Sequence, residues 1–212
     1  MRNCNSTALN GKPLHADLER LLDVEIALAN DANCFALAEA RFGAARDHRV
    51  VFGVIMGTGV GGGIVVDGHV LTGPNGIAGE WGHVPLPGVT DPRPCYCGKS
   101  GCVETVISGP AIEREFLQRT GRRLTLKQIV ADPVSSDTLE SLYSNFGRAL
   151  AVVINLLDPD AIVLGGGVGN VEGLYTRGRT EVARHVFHPD FRTPILRPEL
   201  GDSAGVIGAA LL

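Results

Sequence analysis

A chain of 212 residues, 44% hydrophobic and 20% charged, is long enough to bury one sizeable core and too well mixed to be a disordered segment. Its formal net charge is −4 and its longest basic run is the Arg122-Arg123 pair, so it carries no electrostatic footprint for nucleic acid. No apolar run nears the roughly eighteen residues of a membrane span, and Met1-Arg2-Asn3-Cys4 lacks an apolar signal core; the sequence therefore predicts a cytoplasmic protein that binds neither DNA nor membrane.

In chain order, Val24-Glu25-Ile26-Ala27-Leu28-Ala29 alternates as a half-buried strand would and runs into Asn30-Asp31. Residues 32–42 read as a helix with Phe35, Ala38 and Phe42 on one stripe and Gly43 as its stop, which puts Asp31 at the helix start. From spacing alone, an N-cap is the ready explanation of an Asp there. Val50 to Met56 has strand length and composition. The glycine-rich run Gly57 to Gly63 follows, then Ile64-Val65-Val66, an Asp67-Gly68 turn and His69-Val70-Leu71: two successive hairpins.

Gly57, Gly59 and Gly62 fit the dinucleotide-binding spacing literally, but a β-branched strand follows them instead of a helix, so that reading fails. A Walker A loop fails for want of Gly-Lys-Ser/Thr. A glycine loop with Thr58 can nevertheless close backbone N–H groups on a phosphate. Further helices are predicted near 110–119, 126–131, 137–157 and from about 203 onward. Strand Ala161-Ile162-Val163-Leu164 leads through Gly165-Gly166-Gly167 to a helix at about 171–185, and ligands in open α/β sheets sit outside such carboxyl strand ends.

The densest chemistry lies in Gly79-Glu80-Trp81-Gly82-His83 and Cys95-Tyr96-Cys97-Gly98-Lys99-Ser100-Gly101-Cys102-Val103-Glu104. His83, Cys95, Cys97 and Cys102 form the Cys₃His set of closed structural zinc sites, and Gly98 and Gly101 relieve crowding where the backbone turns around an ion. A disulfide framework fits poorly, since Cys95 and Cys97 are badly placed to bridge each other and Cys4 and Cys34 lie far off. In isolation, Glu80 and Glu104 would read as solvated loop carboxylates.

These residues resemble those of the ROK family of bacterial sugar kinases and sugar-responsive repressors. Glu80 to His83 look like its Gly-Glu-x-Gly-His element, Cys95 to Glu104 match its Cys-x-Cys-Gly-x-x-Gly-Cys-x-Glu signature, and Asn30 to Asn33 match its catalytic strand end. Within the family, Asn5 to Gly11, Cys95 to Lys99 and Leu157 to Gly167 resemble bacterial fructokinases of the fructose and mannose type. Asn30 to Leu37 also look like N-acetylglucosamine kinases.

The resemblance implies an actin-like, hexokinase-type α/β fold (ribonuclease H-like), with residues 31–212 forming a C-terminal domain that carries a zinc loop at 83–104 and residues 1–30 a remnant of the N-terminal one. It implies phosphorylation of a hexose 6-hydroxyl by Mg²⁺-ATP. Asp31 would be the general base, with Asn30, Asp31, Glu80, His83 and Glu104 on the sugar. Gly57, Thr58, Gly59 and Gly61 would meet the ATP phosphates, Gly166 and Gly167 would lie near the adenosine, and the zinc would be structural. One ring nitrogen of His83 would hold zinc while the other donates to a sugar oxygen. A homodimer is expected on the same ground.

The family's Asp-x-Gly-Gly-Thr phosphate motif does not occur in this sequence, which predicts weak or absent turnover for the chain as written. A non-catalytic sugar-sensing module is the alternative from another class, and a zinc-stabilised scaffold is a third. No helix-turn-helix is visible in the sequence.

Overall fold

The computed structural model describes residues 7–89 and 92–212. Cys4 and the Asn5-Ser6 start of the fructokinase-like stretch lie outside them. The described helices are α1 (Leu14–Leu22), α2 (Asp31–Arg41), α3 (Glu104–Ile107), α4 (Gly109–Thr120), α5 (Leu126–Val130), α6 (Ser136–Leu157), α7 (Gly166–Gly169), α8 (Arg177–His185) and α9 (Ala204–Ala209). Strands β1 (Val50–Met56), β2 (Val60–Val66), β3 (His69–Val70), β4 (Ala161–Gly165) and β5 (Ile195–Leu196) form one sheet in the order β3-β2-β1-β4-β5. β2 runs antiparallel to β1 and β3, whereas β4 is parallel to β1 and β5.

Strand alternation divides the core into two layers. Phe52, Val54 and Met56 of β1, with Ile162 and Leu164 of β4, face a cluster built from α4, α6 and α8 that includes Phe116, Phe146 and Val182. The intervening Val51, Ala161 and Val163 face α2 and α9 through Phe35, Ala36 and Ala204. The result is a helix–sheet–helix sandwich. No described helix is long and apolar enough to cross a membrane.

Helices α4, α5, α6 and α9 lie within a residue or two of their predicted bounds. The predicted strand at Val24–Ala29 is instead an extended segment outside the sheet, with Val24 and Leu28 exposed. Alternation supplies a two-sided strand but not a neighbour, and both long edges of β1 are taken by β2 and β4. The helix predicted from 171 begins later, as α8, after the single turn α7 and a 3₁₀ turn at Glu172–Leu174. Phe42 points away from the stripe it was predicted to join and is exposed.

Three of the glycines read as a loop, Gly61 to Gly63, lie inside β2, where they let α2 settle onto the sheet. A Cβ at Gly63 would lie 2.6 Å from the Ala32 carbonyl oxygen, and one at Gly53 of β1 would lie 2.6 Å from the Ala36 Cβ. The Asp67-Gly68 turn is as predicted, with φ of 51° and 74°, the pair of positive values that a type I′ hairpin requires.

α2 is locked by a carboxylate that no sequence pattern singles out. Glu39 is fully buried; Oε2 accepts from the Ala44 N–H (2.9 Å) and the Glu199 N–H (3.1 Å), and Oε1 from the Leu200 N–H (3.0 Å). It thereby ties α2 to the segment that leads into α9. Glu39→Ala is expected to remove the shared acceptor of three part-buried donors and to lower unfolding stability by about 2 kcal/mol, read as a drop in the urea midpoint at unchanged slope. A midpoint within experimental error of the parent would refute the bridge.

Candidate active site

Asn30 and Asp31 begin α2, and the capping role falls to Asn30. Its Oδ1 accepts from the Ala32 N–H at 2.8 Å, which frees Asp31 from the N-cap position and places it in the first helical turn. Asp31 is exposed, and its Oδ1 also lies 2.9 Å from the Ala32 N–H. With one lone pair of its oxygen used by the cap, Asn30 keeps its two amide N–H groups and a second lone pair for a ligand.

Glu80 precedes and His83 ends the 3₁₀ turn Trp81–His83, which is pinned to β2: Trp81 Nε1 donates to the Gly61 carbonyl at 3.0 Å, and the indole meets Phe52 edge-on at 5.7 Å. The same glycine run thus seats α2 on one face and the 80–83 turn on the other. Glu104 opens α3, and its Oε2 accepts from the Val60 N–H at 2.9 Å. That bond joins the cysteine loop to the hairpin carrying Gly57, Thr58 and Gly59.

Both glycine loops leave the same sheet edge. β1 and β4 are parallel and end side by side, Ile55 opposite Gly165, so Gly57–Gly59 and Gly166–Gly167 are neighbours at the carboxyl ends of the central strands. Gly166 has φ of 78°, and a Cβ there would collide with the Met56 carbonyl, so only glycine closes this junction. Gly57 is fixed further by the Gly109 N–H donating to its carbonyl at 2.8 Å, which ties the loop to the start of α4.

The His83, Cys95, Cys97 and Cys102 donor atoms lie within 4.8 Å of one another. His83 Nδ1 is 3.5 Å from Cys95 Sγ, and Cys97 Sγ is 3.6 Å from Cys102 Sγ. Tetrahedral zinc with bonds of about 2.3 Å to sulfur and 2.0 Å to nitrogen has edges of roughly 3.5 to 3.8 Å, so the set is compatible with a closed zinc centre. All four described cysteines are free of disulfides.

Gly98 and Gly101 take φ of 86° and 74° and turn the loop as predicted. Burial pushes the Cys102 thiol up to about 12, with further contributions from hydrogen bonds to Cys97 and Cys95. The Cys95 thiol is raised as well, first by burial. Burial also raises Cys97, but the Lys99 N–H, the hydrogen bonds with Cys95 and Cys102 and the Lys99 charge outweigh it and leave that thiol below its ordinary value.

Tyr96 is a contact missed by the sequence reading, where it appeared only as a letter between two ligands. Its hydroxyl lies 3.0 Å from His83 Nε2, and its ring stands edge-on to the imidazole at 5.1 Å. Burial pushes the phenol up to about 12, helped by the charges of Glu104, Cys95, Glu80 and Cys97.

The ROK family model matches residues 1–212. This chain belongs to the ROK family. It is 38% identical over 221 residues to an N-acetyl-D-glucosamine kinase of Yersinia pseudotuberculosis, covering 98% of the chain and 73% of that relative. Among solved structures it resembles a ROK hexokinase from Thermus thermophilus (TM-score 0.84, 33% identity, 96% of this chain and 70% of that one). It also resembles a ROK glucokinase from Streptomyces griseus in complex with glucose and AMPPNP (TM-score 0.83, 31% identity, 95% and 72%). The family and the actin-like α/β fold expected from the sequence are therefore borne out, and the chain spans about three quarters of the length of these relatives.

Proposed function

We propose that this ROK chain is an ATP-dependent hexose kinase acting on the 6-hydroxyl, with Asp31 as general base. The observation that carries the reading is the convergence on β2: the helix start bearing Asp31, the turn bearing Glu80 and His83, and the loop bearing Glu104 all meet the glycine hairpin within one strand. Phosphoryl transfer needs positioning and charge stabilisation more than covalent chemistry, and this arrangement supplies a base, a carboxylate pair and a glycine loop together.

In this reading Asn30, Glu80, His83 and Glu104 hold the sugar so that one hydroxyl faces Asp31. Asp31 takes that hydroxyl's proton as its oxygen bonds to the γ-phosphorus and the bond to the departing ADP breaks. The loop at Gly57, Thr58, Gly59 and Gly61 lies against the phosphates, and Gly166 and Gly167 flank the adenosine. Magnesium, when bound with ATP, screens the phosphate charge. Zinc in the Cys₃His set holds the His83 ring and the 83–104 loop in place and takes no part in the transfer. We place the domain boundary near residue 30, because α1 buries none of its residues while α2 is buried from Ala32 to Ala40.

The sugar class proposed is an unsubstituted hexose, and the N-acetylglucosamine kinases among the relatives make N-acetylglucosamine the competing substrate. Purified zinc-loaded chain given Mg²⁺-ATP is expected to release ADP slowly but in a sugar-dependent way with at least one of fructose, mannose, glucose and N-acetylglucosamine. Sugar binding without ADP release would point to a sensing module, and neither binding nor release would leave a scaffold.

A further inference from the structure

We propose that the cleft between α6 and the segment leading into the cysteine loop is a phosphate-binding site, in which the guanidinium groups of Arg93 and Arg148, with the charge of Arg114 beside them, hold a dianionic phosphate group. None of its residues is among those assigned to sugar, ATP or zinc, and the proposal stands apart from the kinase reading.

The cleft has a volume of about 200 Å³. Gly88 and Arg93 line it from the segment before the metal loop, Thr105 from α3, Glu115 from α4, and Asn145 and Arg148 from adjacent positions on one face of α6. Arg93 is fixed at the base of the loop, where its carbonyl accepts from the Gly101 N–H at 2.8 Å. Arg148 Nη1 donates to the Pro87 carbonyl at 2.6 Å and Nη2 to Asn145 Oδ1 at 2.5 Å, while its Nε is buried with no partner. Asn145 is itself buried, so the guanidinium is held from beneath.

The positive charge gathered here has no counter-charge of its own. Arg93 Nη2 donates to the Gln118 side-chain oxygen at 2.7 Å and Arg114 Nη2 to the Thr105 carbonyl at 3.0 Å, so all three guanidinium groups spend their donors on neutral oxygens. None of the three forms an ion pair among the described residues. Partial burial and the neighbouring Arg93 charge both lower the Arg114 pKa, as cations held together without an anion do. Glu115 also lines the cleft, but Arg119 takes it: Nε and Nη2 donate to its Oε1 at 3.0 and 2.8 Å. Charges withdrawn from water are ordinarily paired, and the planar guanidinium fork matches the oxygens of phosphate. A carboxylate would offset one of the charges, and a phosphate dianion offsets two.

The test titrates inorganic phosphate, methyl phosphate and acetate into the zinc-loaded chain by calorimetry at one ionic strength. Arg93→Gln and Arg148→Gln are compared with Arg123→Gln, which removes an exposed arginine of the link between α4 and α5. Zinc content and Tm establish that each variant is folded. The parent is expected to bind one phosphate per chain and to gain Tm as phosphate is added, because the ligand binds the folded state. Acetate should bind at least about tenfold more weakly. Arg93→Gln and Arg148→Gln should each weaken phosphate about tenfold or more, as loss of a charge-assisted hydrogen bond does, and Arg123→Gln should leave it within about twofold.

Tighter binding of methyl phosphate assigns the site to an ester and tighter binding of inorganic phosphate to the free ion; either supports it. Phosphate affinity that survives both arginine variants belongs elsewhere in the chain, the Gly57 to Gly63 loop included, and overturns the proposal. Acetate binding as tightly as phosphate overturns it too, as does a folded parent that binds no phosphate. Should Arg148→Gln fail to fold through loss of its bond to Pro87, Arg93→Gln decides alone, since its side chain meets only the exposed Gln118 among the described residues.

Discussion

Asp31→Asn is expected to lower sugar-dependent ADP release by about 10²- to 10⁴-fold, the range a positioned general base contributes, while sugar affinity changes by no more than a few fold. Asparagine has the same shape as aspartate, can still accept from the Ala32 N–H, and leaves Asn30 as the cap, so α2 begins as before. What it lacks is a basic oxygen. The cost to folding is limited to the interaction of one carboxylate with a helix N-terminus, about 0.3–1 kcal/mol, because Asp31 is exposed and is not among the residues paired with a cation in the described structure. A matching Asn30→Ala chain separates the two roles: it should lose about 1 kcal/mol of stability through the missing cap and weaken sugar binding. Equal turnover in Asp31→Asn and the parent would remove Asp31 from the mechanism and leave it as a first-turn helix residue.

The elements that declare themselves in the sequence are those whose pattern and environment agree. β1 is an apolar run that sits buried between two strands, and α6 is a long periodic helix whose Leu142, Phe146, Leu150 and Ile154 all reach the core. The metal cluster is legible because soft ligands at such density have few other uses, and the structure brings their donor atoms together; the candidate sugar and phosphate residues are proposed because they match the family motif. The alternating stretch Val24–Ala29 misleads, since alternation describes two faces and says nothing about whether a neighbouring strand exists to pair with.

Gly61 to Gly63 mislead in the opposite sense. Glycines usually mark a turn, but here each removes a Cβ so that α2 or Trp81 can lie against the strand, and that reason exists only in three dimensions. Glu39 and Tyr96 are invisible for the same cause. A glutamate inside an amphipathic helix reads as a solvated face until the loop segments carrying Ala44, Glu199 and Leu200 converge on it. A tyrosine between two cysteines acquires a partner only when the loop folds its hydroxyl back onto His83.

Removing the metal tests the other large assignment. Cys102→Ala is expected to abolish stoichiometric zinc binding and to lower stability by about 3 kcal/mol, which for a chain of this size is a Tm drop of roughly 6–12 °C. The drop is partial because the sheet and its two helical layers do not depend on the loop. The loop does: Leu86, Val103 and Trp81 belong to the core beneath it, and Glu104, one residue beyond Val103, reaches across to Val60. Sugar affinity should therefore fall along with zinc content, even at temperatures where the variant is fully folded.

The affinity for zinc itself should fall as pH falls, and the sign follows from the thiols. Without metal, burial holds Cys102 protonated up to about 12 and raises Cys95, so both carry their protons at neutral pH and must release them to coordinate. The protons of these two thiols alone give at least roughly a hundredfold loss of affinity per pH unit in that range, measured by competition with a chromophoric chelator between about pH 6 and 8. A pH-independent affinity, or a Cys102→Ala chain that keeps one zinc and its parent Tm, would show that the four residues do not form the metal site.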